Sequence, residues 1–123
     1  MITVDVALGA RSYPILIGAG LLGQPKLLES RVPAHDVLVV TDETVGRTYL
    51  PPFRTMLGER RVEVVELPDG EATKTLDNYA RIMDQLVSAR FGRDAMIATL
   101  GGGVVGDLGG FAAATYQRGI DFI

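Results

Sequence analysis

The stretch Ala95-Met96-Ile97-Ala98-Thr99-Leu100-Gly101-Gly102-Gly103-Val104-Val105-Gly106-Asp107 joins an uncharged apolar run to a cluster of glycines. The apolar run reads as a strand buried on both faces, which is the mark of a parallel sheet. Leu108-Gly109-Gly110-Phe111-Ala112-Ala113-Ala114 then continues as a helix. Gly106, Gly109 and Gly110 each cost about 1 kcal/mol relative to alanine inside a helix, so something is expected to approach too closely for a side chain. Close packing of helix on sheet is one occupant, and a ligand is the other. Three consecutive glycines at the strand end favour an anion, most simply a pyrophosphate. Free backbone N–H groups and the positive helix end would face it. An α/β nucleotide-binding protein follows from this reading.

Upstream, Asp36-Val37-Leu38-Val39-Val40-Thr41 is a second buried strand, and Val62-Glu63-Val64-Val65-Glu66-Leu67 is the next strand, closed by the turn signal Pro68-Asp69-Gly70. Leu76, Tyr79, Met83 and Leu86, with Ala80 and Val87, predict one face of a helix to about Ala89. A helix from Glu43 is expected to end near Leu50, because Pro51 and Pro52 break the ladder, with another short turn to Leu57. A short helix is predicted from Leu21 to Leu28. Ile2-Thr3-Val4-Asp5-Val6 and Tyr13-Pro14-Ile15-Leu16-Ile17 flank a Gly9-to-Ser12 turn as an antiparallel hairpin, Pro14 marking an edge. Ile120-Asp121-Phe122-Ile123 reads as the start of a further strand, so a truncated protein is expected. The predicted fold is one domain over 1–123, a Rossmann-like parallel sheet with flanking helices and an N-terminal antiparallel hairpin.

A second glycine pattern competes. Gly18-Ala19-Gly20-Leu21-Leu22-Gly23 fits G-x-G-x-x-G, with Asp42 following at the end of the next strand. Its preceding strand is the second arm of a hairpin, however, and not the central parallel strand that a dinucleotide crevice needs. An ordinary glycine turn is the better reading.

Composition narrows the classes. Lys and Arg total 12 against 15 acidic residues, for a net charge of −3 and no basic stripe, so nucleic acid is not an expected partner. Neither a membrane-length apolar stretch nor a signal peptide is visible, and a cytoplasmic location is expected. There is no cysteine, which removes thiolate chemistry and zinc-thiolate sites, and the single histidine, His35, reads as a surface-loop residue.

From Gly101 through Gly119, including Phe111-Ala112-Ala113-Ala114-Thr115-Tyr116-Gln117-Arg118-Gly119, the sequence resembles the dehydroquinate synthase family of the shikimate pathway. Leu67-Pro68-Asp69-Gly70-Glu71-Ala72-Thr73-Lys74-Thr75-Leu76, Thr41-Asp42-Glu43-Thr44 and Arg11-Ser12-Tyr13-Pro14-Ile15 extend the resemblance over the whole chain. It implies an NAD- and metal-dependent lyase that converts 3-deoxy-arabino-heptulosonate 7-phosphate to 3-dehydroquinate and phosphate, working as a homodimer. Related readings are another sugar-phosphate cyclase, a glycerol-phosphate or iron-containing alcohol dehydrogenase, and a non-catalytic nucleotide-binding or oligomerisation module.

The resemblance assigns Gly102, Gly103 and Val104 to the NAD pyrophosphate and Asp107 to the nicotinamide end. A first-turn carboxylate stabilised by the helix dipole is the alternative for Asp107. Asp69, Gly70, Glu71 and Lys74 match a second NAD-contacting segment, where a plain turn and a solvated loop are the alternatives for the first three. Lys74, at a helix start that Thr73 is expected to cap, opposes the dipole and needs a compensating anion. Asp42 reads equally as an adenosine-ribose acceptor or a helix cap, with Thr44 as an accessory. Arg118, expected in the last helical turn before Gly119, matches an arginine that holds substrate phosphate across the dimer, while the dipole alone would also explain it. The divalent metal, zinc or cobalt, is implied to bind a glutamate and two histidines of a later helical domain. The 123 residues alone are therefore expected to be inactive, with no catalytic residue among them.

Overall fold

The computed structural model describes all 123 residues. Two strands, β1 (Ile2–Val6) and β2 (Tyr13–Ile17), pair antiparallel as a separate hairpin. The main sheet is four-stranded and parallel, in the order β4-β3-β5-β6, from β3 (Asp36–Asp42), β4 (Arg61–Leu67), β5 (Met96–Leu100) and β6 (Asp121–Phe122). The predicted Rossmann-like sheet with flanking helices and hairpin is therefore what forms.

Side-chain alternation along the central strands builds two apolar layers. Leu38 and Val40 of β3 and Ile97 of β5 join Ile82, Leu86, Val105, Leu108 and Ala112 on one face. That face is covered by α3 (Leu76–Ser88) and α4 (Gly103–Thr115). Val37, Val39, Met96 and Ala98 point the other way, onto Leu28, Phe53, Met56 and Leu57. Those four belong to α1 (Lys26–Glu29) and α2 (Glu43–Leu57). The period of two along a doubly covered strand explains why the runs are apolar throughout.

Three local expectations are corrected. First, α2 does not end near Leu50 but runs unbroken through Pro51 and Pro52 to Leu57. The two missing N–H groups leave the carbonyls of Arg47 and Thr48 without their helical donors, but these residues and both prolines are exposed, so the carbonyls are not stranded in an apolar interior. Gly46, Phe53, Met56 and Leu57 are buried along the opposite side, and that burial outweighs the local break. Second, the helix predicted from Leu21 to Leu28 is split by Pro25 into a single 3-10 turn at Leu21–Gly23 and the four-residue α1. Third, α3 buries Ile82 and Leu86, flanked by Tyr79 and Met83, whereas Leu76, Ala80 and Val87 are exposed. The packed stripe lies about one position round the helix from the predicted one.

The hairpin holds itself apart. Ile2 faces Ile17, Val4 faces Ile15 and Val6 faces Tyr13, so all six share one face. That apolar face is turned to solvent, with Val6 alone half-buried. The Gly18-to-Gly23 pattern follows β2, outside the parallel sheet, and opens only a three-residue turn.

Candidate functional site

Chain order and strand order diverge between β3 and β5. From β3 the chain moves to β4 on one side, then returns to place β5 on the other. In an open parallel sheet the crevice at such a switch point, beyond the carboxyl ends of the strands, is where ligands bind. Asp42 closes β3 there, and Gly101 follows β5 there. Thr41, fully buried, ties the two strand ends by donating to the Leu100 carbonyl at 2.6 Å.

Around this crevice the helix ends are treated differently. Asp42 caps α2, its Oδ1 accepting from the amides of Thr44 at 2.9 Å and Val45 at 2.7 Å. The cap is thus realised, while Oδ2 lies on the side of Gly101. Thr75, not Thr73, caps α3 by accepting from Asn78 N at 3.2 Å. Thr73 is buried and donates instead to the Pro68 carbonyl, which fixes the loop carrying Asp69 and Glu71. By contrast α4 begins with Gly102 as its cap residue and has no side-chain cap at all. A Cβ at Gly102, Gly103 or Gly106 would meet nothing within 4 Å.

The helix glycines therefore divide by cause. A Cβ on Gly109 would lie 2.3 Å from Thr99 Cγ2, and one on Gly110 would lie 3.3 Å from the Phe122 ring. Helix-to-sheet packing accounts for these two. It does not account for Gly102, Gly103 or Gly106, which border open space. Gly101 is different again, since its Cβ would press on Val105 at 3.1 Å.

The predicted polar residues gather into two groups. Thr44 Oγ1 donates to Asp69 Oδ2 at 2.8 Å, joining the start of α2 to the turn after β4, where Gly70 has φ +98°. Lys74 Nζ lies 2.7 Å from Asp107 Oδ2 and 3.2 Å from Glu71 Oε1, so the compensating anion is supplied within the chain. The hydrogen bond to Asp107 first, then the one to Glu71, raises the Lys74 pKa above its ordinary value. Asp107 is the fifth residue of α4, not a first-turn carboxylate, so its place is explained by Lys74 and not by the dipole. Beside this pair an open cleft of about 290 Å³ is lined by Lys74, Thr75, Tyr79, Asp107, Leu108 and Phe111. Val104, half-buried, lies in the first turn of α4.

Arg118 is not in the last turn of α4, which ends at Thr115. It occupies a tight turn in which Gln117 and Arg118 both have positive φ, so the dipole explanation fails. Sequence reasoning overlooked Gln117. Its signal was available only as a Gln-Arg-Gly sequence, with the glycine one place too late to absorb the strained backbone. His35 is exposed, as expected. No cluster of three His, Cys, Asp or Glu side chains suited to a metal ion is present.

Residues 64–123 match the family model described as 3-dehydroquinate synthase N-terminal. Over all 123 residues the chain is 54% identical to the 3-dehydroquinate synthase of Methylococcus capsulatus and 50% identical to that of Pseudomonas putida. Along its whole length the chain is similar to 3-dehydroquinate synthases. It spans 34% of the length of each of these two relatives. A solved 2-deoxy-scyllo-inosose synthase, in complex with carbaglucose-6-phosphate, NAD+ and Co2+, superimposes with a TM-score of 0.83. That likeness covers 98% of this chain and 34% of the other at 22% identity, and it speaks to the fold. No helix is long and apolar enough to cross a membrane.

Proposed function

We propose that residues 1–123 form the NAD-binding domain of a 3-dehydroquinate synthase, a cytoplasmic, homodimeric lyase that converts 3-deoxy-arabino-heptulosonate 7-phosphate to 3-dehydroquinate and phosphate. One observation carries the reading. The N-terminus of α4 is uncapped and free of side chains at Gly102, Gly103 and Gly106, and it opens at the switch point between β3 and β5. A pyrophosphate fits such a surface, because backbone N–H groups and the helix dipole both favour an anion and no Cβ stands in its way. The NAD+ bound by the similarly folded 2-deoxy-scyllo-inosose synthase supports the choice of dinucleotide.

Bound there, NAD supplies a reversible hydride acceptor. The chain's own groups bind and orient. Gly102, Gly103 and Val104 would hold the pyrophosphate, and the Asp42 and Glu71 carboxylates would accept from ribose hydroxyls. Asp69 and Gly70 shape the loop, with Thr44 as its tie. Lys74 and Asp107 would stand as an ion pair at the nicotinamide end, where Asp107 would accept from an amide or hydroxyl. Arg118 takes the substrate phosphate through its fork of N–H donors, reaching across the dimer. The side chains here do not fit a divalent metal, so zinc or cobalt is assigned to residues outside these 123.

Calorimetric titration with NAD tests the site, with one-to-one binding expected and its loss on Gly102→Val. Failure of the complete enzyme polypeptide to bind NAD would sink the assignment. Turnover of the seven-carbon phosphate by residues 1–123 alone would overturn the placing of the metal and the remaining catalytic groups elsewhere.

A further inference from the structure

Gln117 and Arg118 are the two central residues of a turn closed by Gly119 N donating to the Tyr116 carbonyl at 2.9 Å. Gln117 has φ 47° and ψ 42°, and Arg118 has φ 67°. Positive φ at both central positions is the type I′ pattern, which selects Asn-Gly because these residues tolerate the left-handed region. Here the sequence places two long side chains instead. Gly119, the next residue, does not relieve either of them.

The strained turn is anchored at one point. Tyr116, buried, donates its hydroxyl to the Phe91 carbonyl at 2.5 Å. Gln117 Nε2 donates to the same carbonyl at 3.3 Å and to the Tyr116 hydroxyl at 3.3 Å. Behind the turn, Ile120 N donates to the Ala113 carbonyl at 2.8 Å, which ties the exit to α4. Arg118 itself is exposed and makes no ion pair within the chain. The turn is tied on both sides of Arg118, and its guanidinium is left free.

We propose that Gln117 is a positioning residue for Arg118: its left-handed backbone and its amide tether to the Phe91 carbonyl set the direction in which Arg118 projects. The inference rests on the reading that Arg118 binds the substrate phosphate, and it adds the residue that aims it. A backbone held in one uncommon conformation reduces the ordering cost when an anion arrives.

Steady-state kinetics on the complete enzyme polypeptide test it. Gln117→Val, whose β-branched side chain opposes positive φ, should raise KM for the phosphorylated substrate about tenfold, with kcat changed by less than about threefold. Gln117→Asn, which tolerates the left-handed region but is one methylene too short to keep the tether, should restore part of the loss. With a substrate analogue that lacks the phosphate, Gln117→Val and the parent should have equal KM, an outcome that general loosening of the fold would not give. Should Gln117→Val fail to fold, Gln117→Ala carries the same comparison. Arg118→Ala separates the two readings. If it leaves KM unchanged, the phosphate assignment fails, and this inference with it. If Arg118→Ala raises KM while Gln117→Val does not, or if Gln117→Asn is as impaired as Gln117→Val, the positioning role alone is overturned.

Discussion

At the scale of single residues, the glycines of α4 separate structural from functional demand. Gly109→Ala should destabilise the fold by about 1–3 kcal/mol, because its Cβ collides with Thr99 and the crowded interface must shift. Gly106→Ala enters open space, so it should stabilise α4 by about 0.5–1 kcal/mol. On the cofactor reading, the same change should weaken NAD binding. Urea unfolding and calorimetry on the two variants measure both effects. Lys74 gives a pH signature. Its raised pKa means that its contribution is fully present below the unfolded value of about 10.4 and is lost as pH rises through the folded value. Asp107→Asn should move the Lys74 titration, followed by NMR, back toward that ordinary value. No change would mean that the 2.7 Å contact does not persist in solution. Of these residues the sequence made the glycines and Asp107 legible as a group. It could not show that Lys74 and Asp107, 33 residues apart, pair with each other, because that depends on how α3 and α4 lie side by side.

Among the elements, the buried strands were legible because composition and conformation agree there. Val37 through Val40 and Ala95 through Ala98 are apolar on both faces, and the strands are covered on both faces. For α2 they disagree, and tertiary burial decides. Phe53→Ala should therefore cost about 3–5 kcal/mol in chemical denaturation and fray α2 beyond Pro51, since apolar contact is what carries the helix past its prolines. Thr75→Ala should cost α3 about 1 kcal/mol, whereas Thr73→Ala should act on the 68–73 loop instead. The starts of β3 and β4 are joined by Asp36 and Arg61, whose Nε and Nη2 meet the two carboxylate oxygens at 3.0 and 3.1 Å. That hydrogen-bonded fork holds Asp36 below the usual carboxylate range. Its contribution is present above the unfolded pKa of about 3.9 and is lost as pH falls through the lower folded value. Acid unfolding of Arg61→Gln should accordingly lose part of its slope in that window.

Across the whole molecule, stability is uneven by design of the topology. The parallel sheet is sandwiched between two apolar layers, while the hairpin presents Ile2, Val4, Tyr13, Ile15 and Ile17 to solvent. Amides of β1 and β2 should exchange with solvent far faster than those of β3 in hydrogen-exchange measurements. Equal protection would show that the hairpin face is covered in solution. Sequence alternation predicted the hairpin but could not tell which way its apolar face turns, because nothing local fixes its attitude to the sheet.

The contact between Gly109 and Thr99 has one more consequence. It pins α4 to β5 at mid-length, so the helix behaves as a rod of about 20 Å fixed against the sheet. One end carries the bare amides after Gly102, and the other leads into the turn that aims Arg118. The separation of those ends is therefore a length standard written into the backbone. Adding or deleting one residue within α4 would shift the far end by about 1.5 Å and swing it by about 100° at once. Substitutions can repaint the surface of this helix, but a change of its length would mis-set both ends together.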